Sequence, residues 1–201
     1  GDRIKDILGP LGQHMETKGF KKVACVGGGS GIALLYPKAK GFFNDGAKLV
    51  TIIGARSADL LIMEEPLGGI SEKLYVATDD GSKGEKGFVT DVLDGVLQED
   101  PEIELVVSIG PVPMMKASAN VAKKYDKPII VSLNSLMVDG TGMCGGCRVT
   151  VGGEVKFTCV DGPAFDGHKV DFDELMRRTT YYLDKEQEVM KAGGDHKCRL
   201  K

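Results

Sequence analysis

The stretch Lys22-Val23-Ala24-Cys25-Val26-Gly27-Gly28-Gly29-Ser30-Gly31-Ile32-Ala33 decides the fold. A short apolar run with β-branched residues leads straight into a glycine-rich turn, then into an apolar helical pattern. Such a strand-to-helix turn offers backbone N–H groups and the positive end of a helix dipole to a phosphate. Glycine suits it because a Cβ would block a pyrophosphate. The spacing departs from the dinucleotide fingerprint, which with Gly27-x-Gly29 would need a small residue where Ile32 stands. A tight turn serving only helix packing is the competing explanation.

Outward from this stretch the same rhythm repeats. Strands are predicted at Lys22–Val26, Lys48–Gly54, Leu74–Ala77, Glu104–Ile109 and Ile129–Leu133. Helical patterns lie near Ile32–Asn44, Ala58–Gly68, Gly87–Gln98 and Met114–Tyr125. Alternation of this kind implies βαβ units, so an α/β class is expected, with a doubly wound, five-stranded parallel sheet over residues 21–134. Ligands on such sheets bind at the carboxyl ends of the strands. The loops there are Gly54-Ala55-Arg56, Thr78-Asp79-Asp80-Gly81-Ser82 and Gly110-Pro111-Val112-Pro113-Met114-Met115. Strand two does not end in an acidic residue for a ribose hydroxyl. Asp79 and Asp80 could equally be a solvated turn, and Met114 and Met115 could equally be core.

After Asn134 the rhythm breaks. Residues 135–170 are glycine-rich, with short strand-like runs at Arg148–Val151 and Val155–Phe157. Such a segment has little apolar surface of its own and is expected to need a metal to order it. A helix resumes in 171–201, with Asp171 as N-cap and Glu174 at capping-box spacing, before a frayed tail. Residues 1–20 are too short for a domain and read as the end of something larger.

Lys and Arg total 26 against 29 Asp and Glu, a net charge of −3, which leaves no electrostatic footprint for nucleic acid and no basic stripe for a membrane surface. Apolar runs such as Val23–Val26 are far too short to span a bilayer, and no charged-then-apolar leader is seen. A cytoplasmic protein is expected. Five cysteines, three of them within sixteen residues, make a poor disulfide framework and a better metal site.

The most specific feature is the spacing D-x4-C-x2-C-x11-C formed by Asp139, Cys144, Cys147 and Cys159. Plant-type [2Fe–2S] sites use C-x4-C-x2-C and a remote fourth cysteine. Here Asp139 stands where the first cysteine would, and an ionised carboxylate can supply the fourth anionic ligand. Glycines at 140, 142, 145, 146, 152 and 153 let the backbone wrap closely. The rival is structural zinc held by three thiolates and a carboxylate, with His168 nine residues beyond the last cysteine. Cys25 reads as core and Cys198 as a free thiol in the tail. His14 and His196 read as surface residues.

Taken together these residues resemble electron-transfer subunits that join a ferredoxin-reductase-like module to a [2Fe–2S] domain. The resemblance is to the small subunits of NADH-dependent reduced ferredoxin:NADP oxidoreductase (sulfide dehydrogenase) and, next, to the electron-transfer subunits of dihydroorotate dehydrogenase. It rests on Gly9–Gly12, Val26–Ala33, Gly54–Arg56, Thr78–Ser82, Gly110–Met115, Asp139–Arg148 and Cys159–Pro163. The dihydroorotate subunits normally carry cysteine at the position of Asp139, so the aspartate favours the first group.

The resemblance implies metal ligands Asp139, Cys144, Cys147 and Cys159. It implies that Gly28, Gly29 and Gly31 approach the pyrophosphate of NAD(H) or NADP(H), and that Gly110, Pro111 and Met114 flank the nicotinamide. Arg56 and Asp80 would lie on the adenosine side. It further implies that FAD sits mainly on a barrel of which residues 1–20 are the last stretch. No catalytic acid or nucleophile is implied. The implied partner is a larger iron–sulfur flavoprotein subunit, with ferredoxin reached through it. Leu34 replaces a proline usual after the glycine loop, and Ile109 replaces a cysteine common before Gly-Pro in ferredoxin reductases.

Overall fold

The computed structural model describes residues 3–192. Nine strands and six α-helices occur among them: β1 Lys22–Gly28, α1 Gly31–Asn44, β2 Lys48–Ala55, α2 Glu64–Gly68, β3 Lys73–Thr78, β4 Glu85–Lys86, α3 Val89–Glu99, β5 Leu105–Ile109, α4 Val112–Lys124, β6 Ile129–Ser132, β7 Arg148–Val151, β8 Glu154–Phe157, β9 Ala164–Asp166, α5 Phe172–Thr179 and α6 Leu183–Ala192. The main sheet runs β4-β3-β2-β1-β5-β6-β9, and β7 and β8 pair separately.

Alternation along β1 shows why both faces of this sheet are covered. Val23 and Cys25 pack with Ile32, Leu35, Ala39 and Phe42 of α1, while Ala24 and Val26 pack with α3 and α4 through Leu93, Val96 and Met115. β2 divides likewise, with Leu49 and Ile53 on the first face and Val50 and Ile52 on the second. A strand buried on both faces must be apolar at nearly every position, which the β1 and β2 sequences satisfy. Each such Val, Leu or Ile contributes about 1.5–3 kcal/mol relative to exposure. The polar exceptions are paired: Thr51 with Ser71 at 2.6 Å, and Ser108 with Ser118 at 3.1 Å.

The five expected parallel strands are present in register, with β1 between β2 and β5. Two edge strands enlarge the sheet to seven. β4 is a two-residue exposed pairing on β3, and β9 runs antiparallel on β6. Chain order reverses at β1, so a cleft opens at the carboxyl ends of β1 and β5.

The expected helix Ala58–Gly68 breaks in two. A 3-10 turn covers Ala58–Leu60, Leu61 is extended, and Met63 is left-handed with φ 59° before α2 begins. Leu60 and Ile62 face a cleft instead of the core. The C-terminal helix is likewise two helices, α5 and α6. At its start, Asp171 accepts a hydrogen bond from the Glu174 N–H at 2.8 Å, the expected N-cap. Asp171→Ala is expected to lower stability by about 1 kcal/mol in urea denaturation, with an unchanged m-value.

Candidate functional site

Two clefts share the glycine turn. The first, about 790 Å3, is lined by Gly28, Gly29, Arg56, Asp79, Phe88, Pro111 and Met114, among others. The second, about 920 Å3, lies on the other side of the turn and includes Gly28, Gly31, Lys38, Gly110, Pro111 and Asn134. All of the residues singled out for nucleotide except Asp80 therefore line one cleft or both.

Asp80 is turned to its own loop. Its Oδ1 accepts from the Ser82 N–H at 2.9 Å and the Ser82 hydroxyl at 2.6 Å, and these donors, the hydroxyl foremost, hold its pKa below the ordinary carboxylate range. Asp79 lines the cleft in its place. Met115 is fully buried core, whereas Met114 is half-buried and forms cleft wall.

The glycines have different reasons for being glycine. A Cβ on Gly31 would lie 2.6 Å from the Ile109 carbonyl oxygen and 2.7 Å from Gly110 Cα, so helix start and β5 end touch backbone to backbone. A Cβ on Gly28 would strike the Met114 thioether, a flexible side chain. Gly29 has open space around it but a φ of +54°. Packing thus accounts for Gly31 and backbone conformation for Gly29, independently of any ligand. At the turn, Ile32 and Ala33 N–H groups bond back to Gly29 and Ser30, while Ser30 and Gly31 N–H groups meet no acceptor among the described residues. Those two donors at a helix start are what an anionic group would find.

The clefts are also lined by Phe88, Thr90 and Lys38, which the sequence pattern does not single out. Phe88 is 64% exposed at the cleft mouth, an aromatic at a loop-to-helix junction that could have been noticed. Lys38 reads as a polar-face helix residue, but it is half-buried, and burial pushes its pKa down. Among the described residues it forms no ion pair.

The β7–β8 hairpin explains how distant cysteines meet. Gly152 and Gly153, at φ 62° and 82°, make its two-residue turn. Arg148 pairs with Phe157, which brings Cys147, just before β7, beside Cys159, just after β8. The Cys147 and Cys159 sulfurs are 3.2 Å apart, both side chains buried. The Cys159 N–H points at Cys147 Sγ at 3.4 Å, and the Thr158 hydroxyl donates to the Cys147 carbonyl at 2.9 Å. Burial, and then the Cys147 thiol, raise the Cys159 pKa, so a metal must displace protons to bind there.

Asp139 and Cys144 lie in the preceding loop. The Asp139 carboxylate accepts from the Thr141 N–H at 2.7 Å and the Cys144 N–H at 2.8 Å. The Thr141 donor is the largest cause of its lowered pKa. This stabilisation is fully present above the ordinary aspartate pKa of about 3.9 and is lost as pH falls through the lowered one. Cys144 is exposed, and its sulfur accepts from the Gly146 N–H at 3.4 Å.

Among the described residues no three His, Cys, Asp or Glu side chains converge as a ready ion site. The structure joins Cys147 to Cys159 and Asp139 to the Cys144 backbone as two pairs. The donor set still fits an iron–sulfur group: soft thiols with N–H groups aimed at sulfur, and a carboxylate held ionised. His168 does not join them, since its Nε2 lies 2.9 Å from the Lys127 carbonyl. Cys25 is buried core, its thiol pushed up to about 12 by burial, and His14 is exposed. Cys198 and His196 lie outside the described residues. No described helix is long and apolar enough to cross a membrane.

Residues 134–171 match the iron–sulfur cluster binding domain of dihydroorotate dehydrogenase B. A chain in the solved structure of NADH-dependent reduced ferredoxin-NADP oxidoreductase, a subject of work on flavin-based electron bifurcation, superimposes with a TM-score of 0.87 at 47% identity, covering 96% of this chain and 69% of that one. This chain belongs to that family of electron-transfer subunits. A Thermotoga maritima relative, the dihydroorotate dehydrogenase B (NAD(+)) electron transfer subunit homolog, is 49% identical over 93% of this chain and 66% of its own length. A probable subunit of the same name from Methanocaldococcus jannaschii is 38% identical over 86% of this chain and 65% of its own length. The chain thus spans just under two thirds of these curated relatives. The seven-stranded, mostly parallel sheet and the C-terminal helices agree with this family assignment.

Proposed function

We propose that this chain carries electrons between NAD(P)H, FAD and a [2Fe–2S] cluster to a larger iron–sulfur flavoprotein subunit, as part of an NAD(P)H-dependent oxidoreductase. The observation that carries this reading is the D-x4-C-x2-C-x11-C segment, whose buried Cys147 and Cys159 sulfurs stand 3.2 Å apart, following a doubly wound sheet with a glycine-turn cleft. Nicotinamide moves two electrons together, an iron–sulfur cluster moves one, and flavin can do both.

The chain's residues bind and position in this proposal, and none acts as an acid or nucleophile. Ser30 and Gly31 N–H groups receive the pyrophosphate, Gly28 and Gly29 allow its approach, Arg56 meets the adenosine side, and Gly110, Pro111 and Met114 border the nicotinamide. Asp139 and Cys144 from the loop and the buried Cys147 and Cys159 from the hairpin would hold the cluster. FAD is assigned mainly to residues outside this chain. The working units are 21–134 for nucleotide and 135–170 for the cluster, with residues 1–20 belonging to the flavin module and 171–201 forming a C-terminal helical segment. The compartment is the cytoplasm.

Dihydroorotate dehydrogenase is the alternative partner, since the Thermotoga and Methanocaldococcus relatives carry that name. Co-purification with the neighbouring gene product separates the two.

The purified protein is expected to be red-brown, with about two irons per chain and absorbance bleached by dithionite. A colourless protein containing zinc would sink the reading. Asp139→Cys is expected to keep the iron and change the spectrum; an unchanged spectrum removes Asp139 as a ligand.

A further inference from the structure

Five arginines lie among the described residues, at 3, 56, 148, 177 and 178, and every ion pair found there uses lysine instead. Two of these arginines stand against one short loop. Arg178, half-buried on α5, donates from Nη2 to the Gly146 carbonyl at 3.2 Å. Arg148 runs along the other side, where a Cβ built on Gly145 would lie 3.9 Å from its Nη1. Both arginines line a cavity of about 340 Å3 between the cysteine loop, α5 and the link that follows α5, and among the described residues its lining contains no carboxylate.

The loop they flank is Cys144-Gly145-Gly146-Cys147, which in the proposed function carries two cluster ligands. Gly146 is held at both ends: Arg178 takes its carbonyl, and its N–H points at Cys144 Sγ. Among the described residues neither guanidinium group has a carboxylate partner, and half-buried Arg178 shares the cavity lining with apolar Leu136 and Leu175, where a nearby negative charge is favourable. Four anionic ligands around two irons and two sulfides supply that charge, and one-electron reduction adds more.

We infer that Arg178 and Arg148 are positioning residues that set the cluster's reduction potential by placing two positive charges beside the Cys144–Cys147 loop. This inference rests on the cluster reading above. The sign follows from Coulomb's law. A fixed cation favours the state with one more electron, so removing it lowers the potential. Arg178 should act more strongly than Arg148, because it is half-buried while Arg148 is exposed and screened by salt.

The test is a dye-mediated potentiometric titration of the cluster, followed by EPR, on Arg178→Gln, Arg178→Lys, Arg148→Gln and the α5 surface control Arg177→Gln. Arg178→Gln is expected to disfavour reduction by about tenfold, which is about 59 mV for one electron. Arg178→Lys should restore part of this, and Arg177→Gln should match the parent. The Arg148→Gln shift should be smaller and shrink as salt is raised. Arg148 makes no side-chain hydrogen bond among the described residues, so its variant decides the matter if Arg178→Gln fails to hold a cluster. Intact clusters whose potentials equal the parent's, or rise, overturn the inference. A parent without any cluster overturns the underlying function instead.

Discussion

Cys159→Ala should yield a colourless chain with no bound iron, while Cys25→Ala keeps its iron and its visible absorbance. The two cysteines are alike in burial, at 7% and fully buried. They differ in company. Cys25 sits mid-strand among Val23, Leu35 and Leu105, with nothing polar to serve. Its truncation removes one sulfur from a packed core and should cost on the order of 1 kcal/mol. Cys159 faces a second sulfur at 3.2 Å at the open end of the β7–β8 hairpin. Where metal binding supplies folding free energy, losing a ligand loosens the surrounding chain as well. Iron analysis and limited proteolysis across residues 135–163 check both halves of this expectation. Equal iron in both variants would remove Cys159 from the ligand set.

Gly31→Ala should be the most damaging change in the nucleotide turn. The added methyl would be driven into the Ile109 carbonyl and Gly110 Cα, and neither is a side chain that can turn away. Relief requires α1 to back off from the end of β5, which widens the cleft that both elements border. A loss of about 3 kcal/mol in denaturant stability is expected, at the upper end of overpacking costs. At least a tenfold weaker NADH affinity should accompany it, read from nicotinamide fluorescence. Gly29→Ala is the informative contrast. Its surroundings are open, so only its left-handed backbone opposes the change, at about 1–2 kcal/mol. Gly29→Ala destabilising more than Gly31→Ala would contradict the packing account.

Much of the nucleotide fold was legible because its strands are buried on both faces. Near-continuous β-branched runs such as Leu49–Ile53 are hard to read as anything else, and the glycine turn marks where β1 ends. The edges were not legible. β4 is Glu85–Lys86, two exposed charged residues whose strand state exists only through pairing with Ala77 and Thr78. β9 depends on Ile130–Ser132, more than thirty residues earlier. Around Ala58–Gly68 the pattern predicts one helix, but Leu60 and Ile62 belong to a cleft wall. Periodicity reports that a residue is apolar and cannot say whether core or ligand will cover it.

The amino-acid sequence by itself determined the α/β order, the glycine turn, the ligand-type spacing from Asp139 to Cys159 and the Asp171 cap. These depend on local patterning, in which neighbours along the chain are also neighbours in space. Tertiary structure alone decided that Asp79 and not Asp80 borders the cleft, that Gly31 is required by β5, and that Cys147 meets Cys159 through a hairpin register. It also brought Arg178 from α5 to the Gly146 carbonyl, thirty-two residues away in the chain. Each of these is a contact between segments whose sequences carry no record of one another, and only packing the sheet, hairpin and helix together creates it.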